Sequence, residues 1–356
     1  MNVYVIGAGV STTAGYPVGG ELFKEVDHFV RERRWGGNRA AYEPKWPEMR
    51  DWLESRCSDT LVRWAYRKRL LEHLFTVLDL AWELSLVGLS EVAGAVVNND
   101  PENAVQAEAD YEELDKGATR HKDYRDVLRA ALQDYFLFKH HDDYKEGRVH
   151  TWGVLAQFAE RLRRDDVIIT FNYDSTLERV LCNKGLWSPS DGYGFPSTPS
   201  IETKEGSYDS PVIILHLHGS IGWCETSHRP DGWHVPLDAD FLRELGLETT
   251  LSASNAGSDC QKQMFLHPSF LKDYEKEGTY NPVFIRLWQR AAEALRSRET
   301  ERIFIAGYSL PRADSAAFTL LTTNCNPNKV EIVNQDRDHN FRLAGRLLTG
   351  QRVFAK

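Results

Sequence analysis

MNVYVIGAGVSTTAGYP, residues 1–17, runs from a short strand signal at 2–6 straight into a glycine-rich turn. A strand that feeds a glycine turn opening a helix is the usual entry to a parallel nucleotide-binding sheet. Gly7 and Gly9 let the backbone turn tightly and approach a pyrophosphate. The amides that follow, from Ala8 onward, can then face phosphates at a helix start, and Ser11 adds a hydroxyl. A dehydrogenase fingerprint would place glycine at position 12, where Thr12 stands, and an acidic residue about 20 residues later at a second strand end. Hydride transfer is therefore disfavoured. Taken alone, the motif can also be read as a tight strand-to-helix turn with no ligand.

Outward from that turn, helical spacing of Leu22, Phe23, Val26, Phe29 and Val30 predicts a helix over 19–34. Residues 35–58 read as a loop, 59–90 as one or two buried helices, and 98–119 as an acidic loop or exposed helix. Amphipathic helices are expected at 122–139 and 151–164. The pattern then changes to strands alternating with helices. Strands are expected at 167–172, 212–219, 302–309 and 329–336; helices at 174–185, 282–297, 313–323 and 338–349; residues 225–280 read as irregular. The fold class is α/β: a Rossmann-like parallel sheet flanked by helices. We expect a single domain over 1–356, with its Rossmann-like core at 1–20 and 165–356. A large α-helical insert, about 20–165, follows the first strand, and no zinc module is expected.

In such sheets ligands sit outside the carboxyl ends of the strands. Several strands end here in polar or glycine residues: Gly7–Ser11, Asn172–Asp174, His218–Ser220, Gly307–Ser309, and Asn334 with Asp336. A parallel sheet puts all of them on one rim. Each has a plainer reading. Asn172 and Asp174 suit a helix cap, Asp314 another, and His218 by itself reads as a hydrogen-bonded core histidine. His216 and His218, two apart on an expected strand, would face one side; no carboxylate or cysteine cluster accompanies them to make a metal site.

Taken in order, these motifs resemble the sirtuin family. The family opens with GAGxSxxxGxP, and this chain has GAGVSTTAGYP; TFNYD (170–174), His218-Gly219-Ser220, GYS (307–309) and VNQD (333–336) follow in the family's order. Two features depart from the family's deacylases. Val18-Gly19-Gly20-Glu21 replaces an Asp-Phe-Arg segment, and 225–280 holds only Cys260 where a four-cysteine zinc module would stand. The chain is instead similar to the zinc-less bacterial sirtuin-like branch.

That resemblance implies an NAD+ hydrolase cleaving the nicotinamide–ribose bond, acting as a regulated effector in anti-phage defence. NAD+ is then the substrate, and no zinc is expected. It implies a homo-oligomer and a regulatory protein partner that senses infection. In the mechanism so implied, Asn172 holds the ribose hydroxyls and the attacking water, and Asp174 orients the nicotinamide carboxamide. His218 is the general base, a task that suits histidine, whose unperturbed side chain has a pKa of about 6.5. Gly7, Ala8, Gly9, Ser11, Gly307, Tyr308 and Ser309 hold the pyrophosphate and neighbouring ribose, and Asn334 the adenosine ribose. The alternatives are an NAD-dependent protein deacylase or ADP-ribosyltransferase, and an ADP-ribose or NAD-sensing module without catalysis.

Composition narrows the field further. The net charge of −9 argues against a broad sequence-independent grip on nucleic acid. No apolar run is long enough to span a bilayer, and the start lacks a signal-peptide pattern, so a cytoplasmic protein is expected. Cys57, Cys182, Cys224, Cys260 and Cys325 form no CxxC pair and read as reduced.

Overall fold

The computed structural model describes residues 1–17, 19–32, 42–56, 63, 66–67, 71–83, 104–145, 153–189, 191–194, 210–225, 237, 241, 262–265, 282–310, 314–333, 343–345 and 347. The chain divides into two compact units. One comprises Met1–Val18, Phe136–Leu266 and Asp273–Lys356; the other comprises Gly19–Tyr135 with His267–Lys272.

The first unit is built on a five-stranded parallel sheet. Strands β1 (Asn2–Ile6), β2 (Val167–Thr170), β3 (Ile213–His216), β6 (Arg302–Ala306) and β7 (Val330–Val333) are arranged in the order β3-β2-β1-β6-β7. All four pairings are parallel, with Val3 opposite Val167 on one side of β1 and Ile303 on the other. β1 and β2 are buried almost throughout, so they read as continuous apolar runs rather than alternating ones. Val3, Ile168, Ile169, Ile214 and Ile303 are wholly buried, each stabilising the fold by about 1.5–3 kcal/mol. Tyr4 stacks on Phe304 at 5.1 Å and meets the edge of Phe158.

Helices cover the sheet. Between β1 and β2 come the short α1 (Ala8–Ser11), the second unit, and then α5 (Gly153–Ala159); α6 (Thr176–Asn183) follows β2 and packs on α5. α7 (Pro282–Arg296) packs on β3 and on α8 (Ser315–Asn324). β1 is the strand at which the order reverses. The chain moves outward through β2 and β3, then crosses to β6 and β7. The crevice expected of such a reversal lies at the carboxyl ends of β1 and β6.

Beyond β3 the sequence expectation of one strand over 212–219 is corrected. β3 ends at His216, the chain turns, and β4 (Gly219–Glu225) pairs antiparallel with β5 (Lys262–Phe265) in a separate two-stranded sheet. β5 falls within 225–280, read from sequence as irregular. Cys224, at the end of β4, is disulfide-bonded, which corrects its expected reduced state; Cys182 and Cys325 are free thiols. Burial raises the pKa of both free thiols, that of Cys325 to about 12.

In the second unit, α2 (Gly19–Glu32) presents Leu22, Phe23, Val26, Phe29 and Val30 to its core, as the spacing predicts. Phe23 stacks on Trp46 of α3 (Lys45–Asp51), a helix inside the expected 35–58 loop. The Trp46 indole N–H donates to Asp27 at 3.2 Å. The segments expected at 98–119 and 122–139 are not separate, since one helix, α4 (Ala104–Lys145), holds the described residues of both. Tyr124, Val127, Leu128, Ala131, Leu132, Tyr135 and Phe136 are buried along one face of it, the amphipathic stripe expected over 122–139. Among the described residues no helix is long and apolar enough to cross a membrane.

Candidate functional site

The turns after β1 and β6 are bonded to each other. The Gly7 amide donates to the Ala306 carbonyl at 3.1 Å and the Gly9 amide to the Gly307 carbonyl at 2.9 Å. The Val10 amide returns to the Gly7 carbonyl at 3.0 Å. A Cβ on Gly9 would lie 2.9 Å from the Gly307 Cα, and Gly307 itself sits at φ +59° with a Cβ position 2.6 Å from the Val10 nitrogen. Here the glycines serve contact between two backbones; two of the amides expected to face phosphates, those of Gly9 and Val10, are held by protein carbonyls. Gly307→Ala is expected to lower stability by about 1–3 kcal/mol, from strain at positive φ and collision with Val10, read as a lower denaturant midpoint. Ala8 and Ser309 stand exposed at this rim.

A second group joins the end of β1 to the end of β2. Asn172 Nδ2 donates to Ser11 Oγ at 2.9 Å, and Ser11 Oγ donates to Asp174 Oδ2 at 2.8 Å. The other Asp174 oxygen, Oδ1, accepts from the Thr176 amide at 3.2 Å and the Thr176 hydroxyl at 2.5 Å. Asp174 thus does the capping work at the start of α6, while Ser175, at the N-cap position, makes no side-chain cap bond. Burial pushes the Asp174 pKa up, opposed by the hydrogen bonds from Thr176 and Ser11. Because Nδ2 is committed to Ser11, the orientation of the Asn172 amide is fixed, and with it the direction in which Oδ1 can accept.

His218 lies beyond the end of β3, 3% exposed, with Nε2 3.1 Å from Asp314 Oδ2. Asp314 does two things. Its Oδ1 accepts from the Ala317 amide at 3.1 Å, capping α8, and its Oδ2 takes the Tyr308 hydroxyl at 3.2 Å beside His218. The cap was legible in sequence; the contact with His218 was not. Aromatic rings surround the imidazole. Phe171 meets it edge-on at 5.1 Å and stacks on Tyr308 at 4.4 Å, and the rings of Trp288 and Tyr173 stand at 6.4 and 6.3 Å. Trp288 is itself anchored by its indole N–H, which donates to the Leu217 carbonyl at 3.2 Å. No local sequence pattern marked Phe171 or Trp288; a ring just after β2 and another on a helix packed over β3 are ordinary core positions.

His216 does not share the surroundings of His218. Its Nδ1 lies 3.1 Å from the Asn172 carbonyl oxygen and its Nε2 2.8 Å from Glu178 Oε1. Among the described residues no group of three or more His, Cys, Asp or Glu side chains is placed to hold a metal ion. The structure therefore brings Ser11, Asn172 and Asp174 into one hydrogen-bonded network. Gly7, Gly9, Gly307 and Tyr308 adjoin it at the same edge of the same sheet, and His218 lies in the turn after the neighbouring strand β3. Asn334 lies outside the described residues. No protein-family model matches this sequence, and no curated protein matches it.

Proposed function

We propose that the chain is an NAD+ hydrolase that cleaves the nicotinamide–ribose bond to give nicotinamide and ADP-ribose. One observation carries the reading. A hydroxyl, a carboxamide, a carboxyl and an Asp-paired imidazole follow the carboxyl ends of three adjacent parallel strands, β1, β2 and β3, of which β1 stands at the reversal of strand order.

The chemistry asked of these groups is modest. The bond joins a cationic pyridinium nitrogen to the anomeric carbon. On cleavage its electron pair goes to the ring nitrogen, leaving neutral nicotinamide and an oxocarbenium-like ribose. No acid is needed for the leaving group. Water must reach the anomeric carbon and give up a proton. With Nε2–H of His218 given to Asp314, Nδ1 is the nitrogen that can take that proton, directly or through a ribose hydroxyl. Asn172 Oδ1, its direction set by Ser11, would accept from the ribose hydroxyls and the water. Asp174 accepts three hydrogen bonds already, so its first task is to hold Ser11 and, through it, Asn172; the nicotinamide carboxamide would use its remaining acceptor capacity. Gly7, Ala8, Gly9, Gly307, Tyr308 and Ser309 would receive the pyrophosphate and ribose. Under this reading the protein works in anti-phage defence, as a homo-oligomer under the control of an infection-sensing partner.

Pure full-length protein incubated with NAD+ across a range of protein concentrations is expected to release nicotinamide and ADP-ribose in equal amounts, followed by chromatography. Release that rises more steeply than protein concentration would mark control by self-assembly. Tight NAD+ binding with no nicotinamide formed, at every concentration and with infected-cell extract added, would replace the hydrolase with a sensing module.

A further inference from the structure

His216 is wholly buried and touches nothing in the proposed chemistry directly, yet it grips the residue that does. Its Nδ1 has only a carbonyl oxygen, that of Asn172, to bond, so Nδ1 must carry a proton. Its Nε2 faces Glu178 Oε1, which also accepts from the Tyr193 hydroxyl at 3.2 Å. Glu178 Oε2 is buried with no hydrogen-bond partner among the described residues. A buried carboxylate so sparsely bonded is costly unless a charge sits beside it. An imidazolium supplies that charge and satisfies both contacts at once.

We propose that His216 is a positioning residue for Asn172: doubly protonated and clamped by Glu178, it holds the Asn172 main-chain carbonyl and so fixes the carboxamide side chain that meets Ser11. The consequence for turnover rests on the hydrolase reading; the positioning itself does not. Three titratable groups face the ring: Glu178 from α6, Tyr193 from the turn at 191–194, and Asp174 beyond β2. Trp223 of β4 closes the remaining side, 5.6 Å between centroids. Burial pulls the His216 pKa down, but Glu178 and the Asn172 carbonyl outweigh it, and the net direction is up. A raised folded value means that the contribution of the ring is fully present below its unfolded value of about 6.5 and is lost as pH rises through the folded value. The grip on Asn172 should therefore loosen on the alkaline side.

The test compares four full-length proteins: wild type, Glu178→Gln, and Glu178→Gln combined with His216→Asn or with His216→Gln. Asparagine places its amide nitrogen near the Nδ1 position and keeps the donor to Asn172. Glutamine reaches the Nε2 position and loses that donor. Nitrogen NMR of ring-labelled histidine in the wild type at pH 7 should show both His216 nitrogens protonated; one unprotonated nitrogen overturns the imidazolium. The Asn172 side-chain amide resonance should stay near that of Glu178→Gln in the asparagine protein and move in the glutamine protein. In NAD+ turnover the glutamine protein should lose about tenfold to a hundredfold in kcat with KM within about threefold, and the asparagine protein should stay within about threefold in both. Equal losses in the two proteins, following their melting temperatures, would make His216 structural only. A wild type that releases no nicotinamide, even with infected-cell extract added, ends the hydrolase reading, while the two NMR measurements still decide the positioning.

Discussion

His218→Ala should lower NAD+ turnover by about 10²–10⁴-fold while the protein stays folded. The magnitude is that of losing a general base, the role given to Nδ1 once Nε2 is paired with Asp314. The fold should survive because Asp314 keeps its Tyr308 and Ala317 donors when the imidazole is gone. Loss of the ring from among Phe171, Trp288 and Tyr173 is a packing change as well, so His218→Gln serves as the companion. Its amide can still reach Asp314 but takes no proton near neutral pH. Both proteins should bind NAD+ and release almost no nicotinamide. Wild-type turnover by either one would remove His218 from the chemistry. Asn172→Ala is expected to fail similarly, through loss of the oriented amide rather than of a base.

The second large effect is expected from Asp314→Asn, a loss of about 10²–10⁴-fold in kcat with little change in stability. Asparagine is as good a helix cap as aspartate, so its Oδ1 can go on accepting from the Ala317 amide. The group turned toward His218 becomes an NH2 donor instead of a carboxylate oxygen. Nε2 must then accept, the proton moves to Nδ1, and the nitrogen that should take a proton from water already holds one. Asp314→Ala makes the separation visible. It should lose activity to a similar degree and in addition about 1 kcal/mol of stability, the cost of a missing cap. Paired kcat and urea-midpoint measurements decide the matter. An asparagine protein as active as the wild type would leave Asp314 with the cap alone.

The two roles of Asp314 show why part of this site was legible in the sequence and part was not. Gly7–Ser11, Asn172–Asp174 and His218 follow apolar runs, and strand ends are where a parallel sheet gathers its chemistry. The pairing of His218 with Asp314 is a contact between distant segments, and nothing local to either residue encodes it. The same holds for Glu178, which reads as one more acid in the first turn of a helix and is wholly buried against His216. Helix α4 was legible in its apolar part, where Tyr124, Val127, Leu128, Ala131, Leu132 and Tyr135 recur at helical spacing, and not in the acidic stretch before it, which carries no such stripe. β5 is short, and its partner strand β4 makes a register shift between Gly219 and Cys224, which leaves little regular alternation to detect.

The central position of β1 has a consequence for how this chain is made. Val3 pairs with Val167 and Asn2 with Arg302, so β1 leaves the ribosome with no partner from this sheet on either edge until far more of the message has been read. At about 5–20 residues per second, its first neighbour emerges roughly 10–30 s later and its second later still. Through that interval VYVI is a bare apolar ribbon, the kind of segment that chaperones shield and that sticks to its own copies when they do not. Yield of active protein should therefore depend more steeply on synthesis rate and temperature than on the stability of the finished fold.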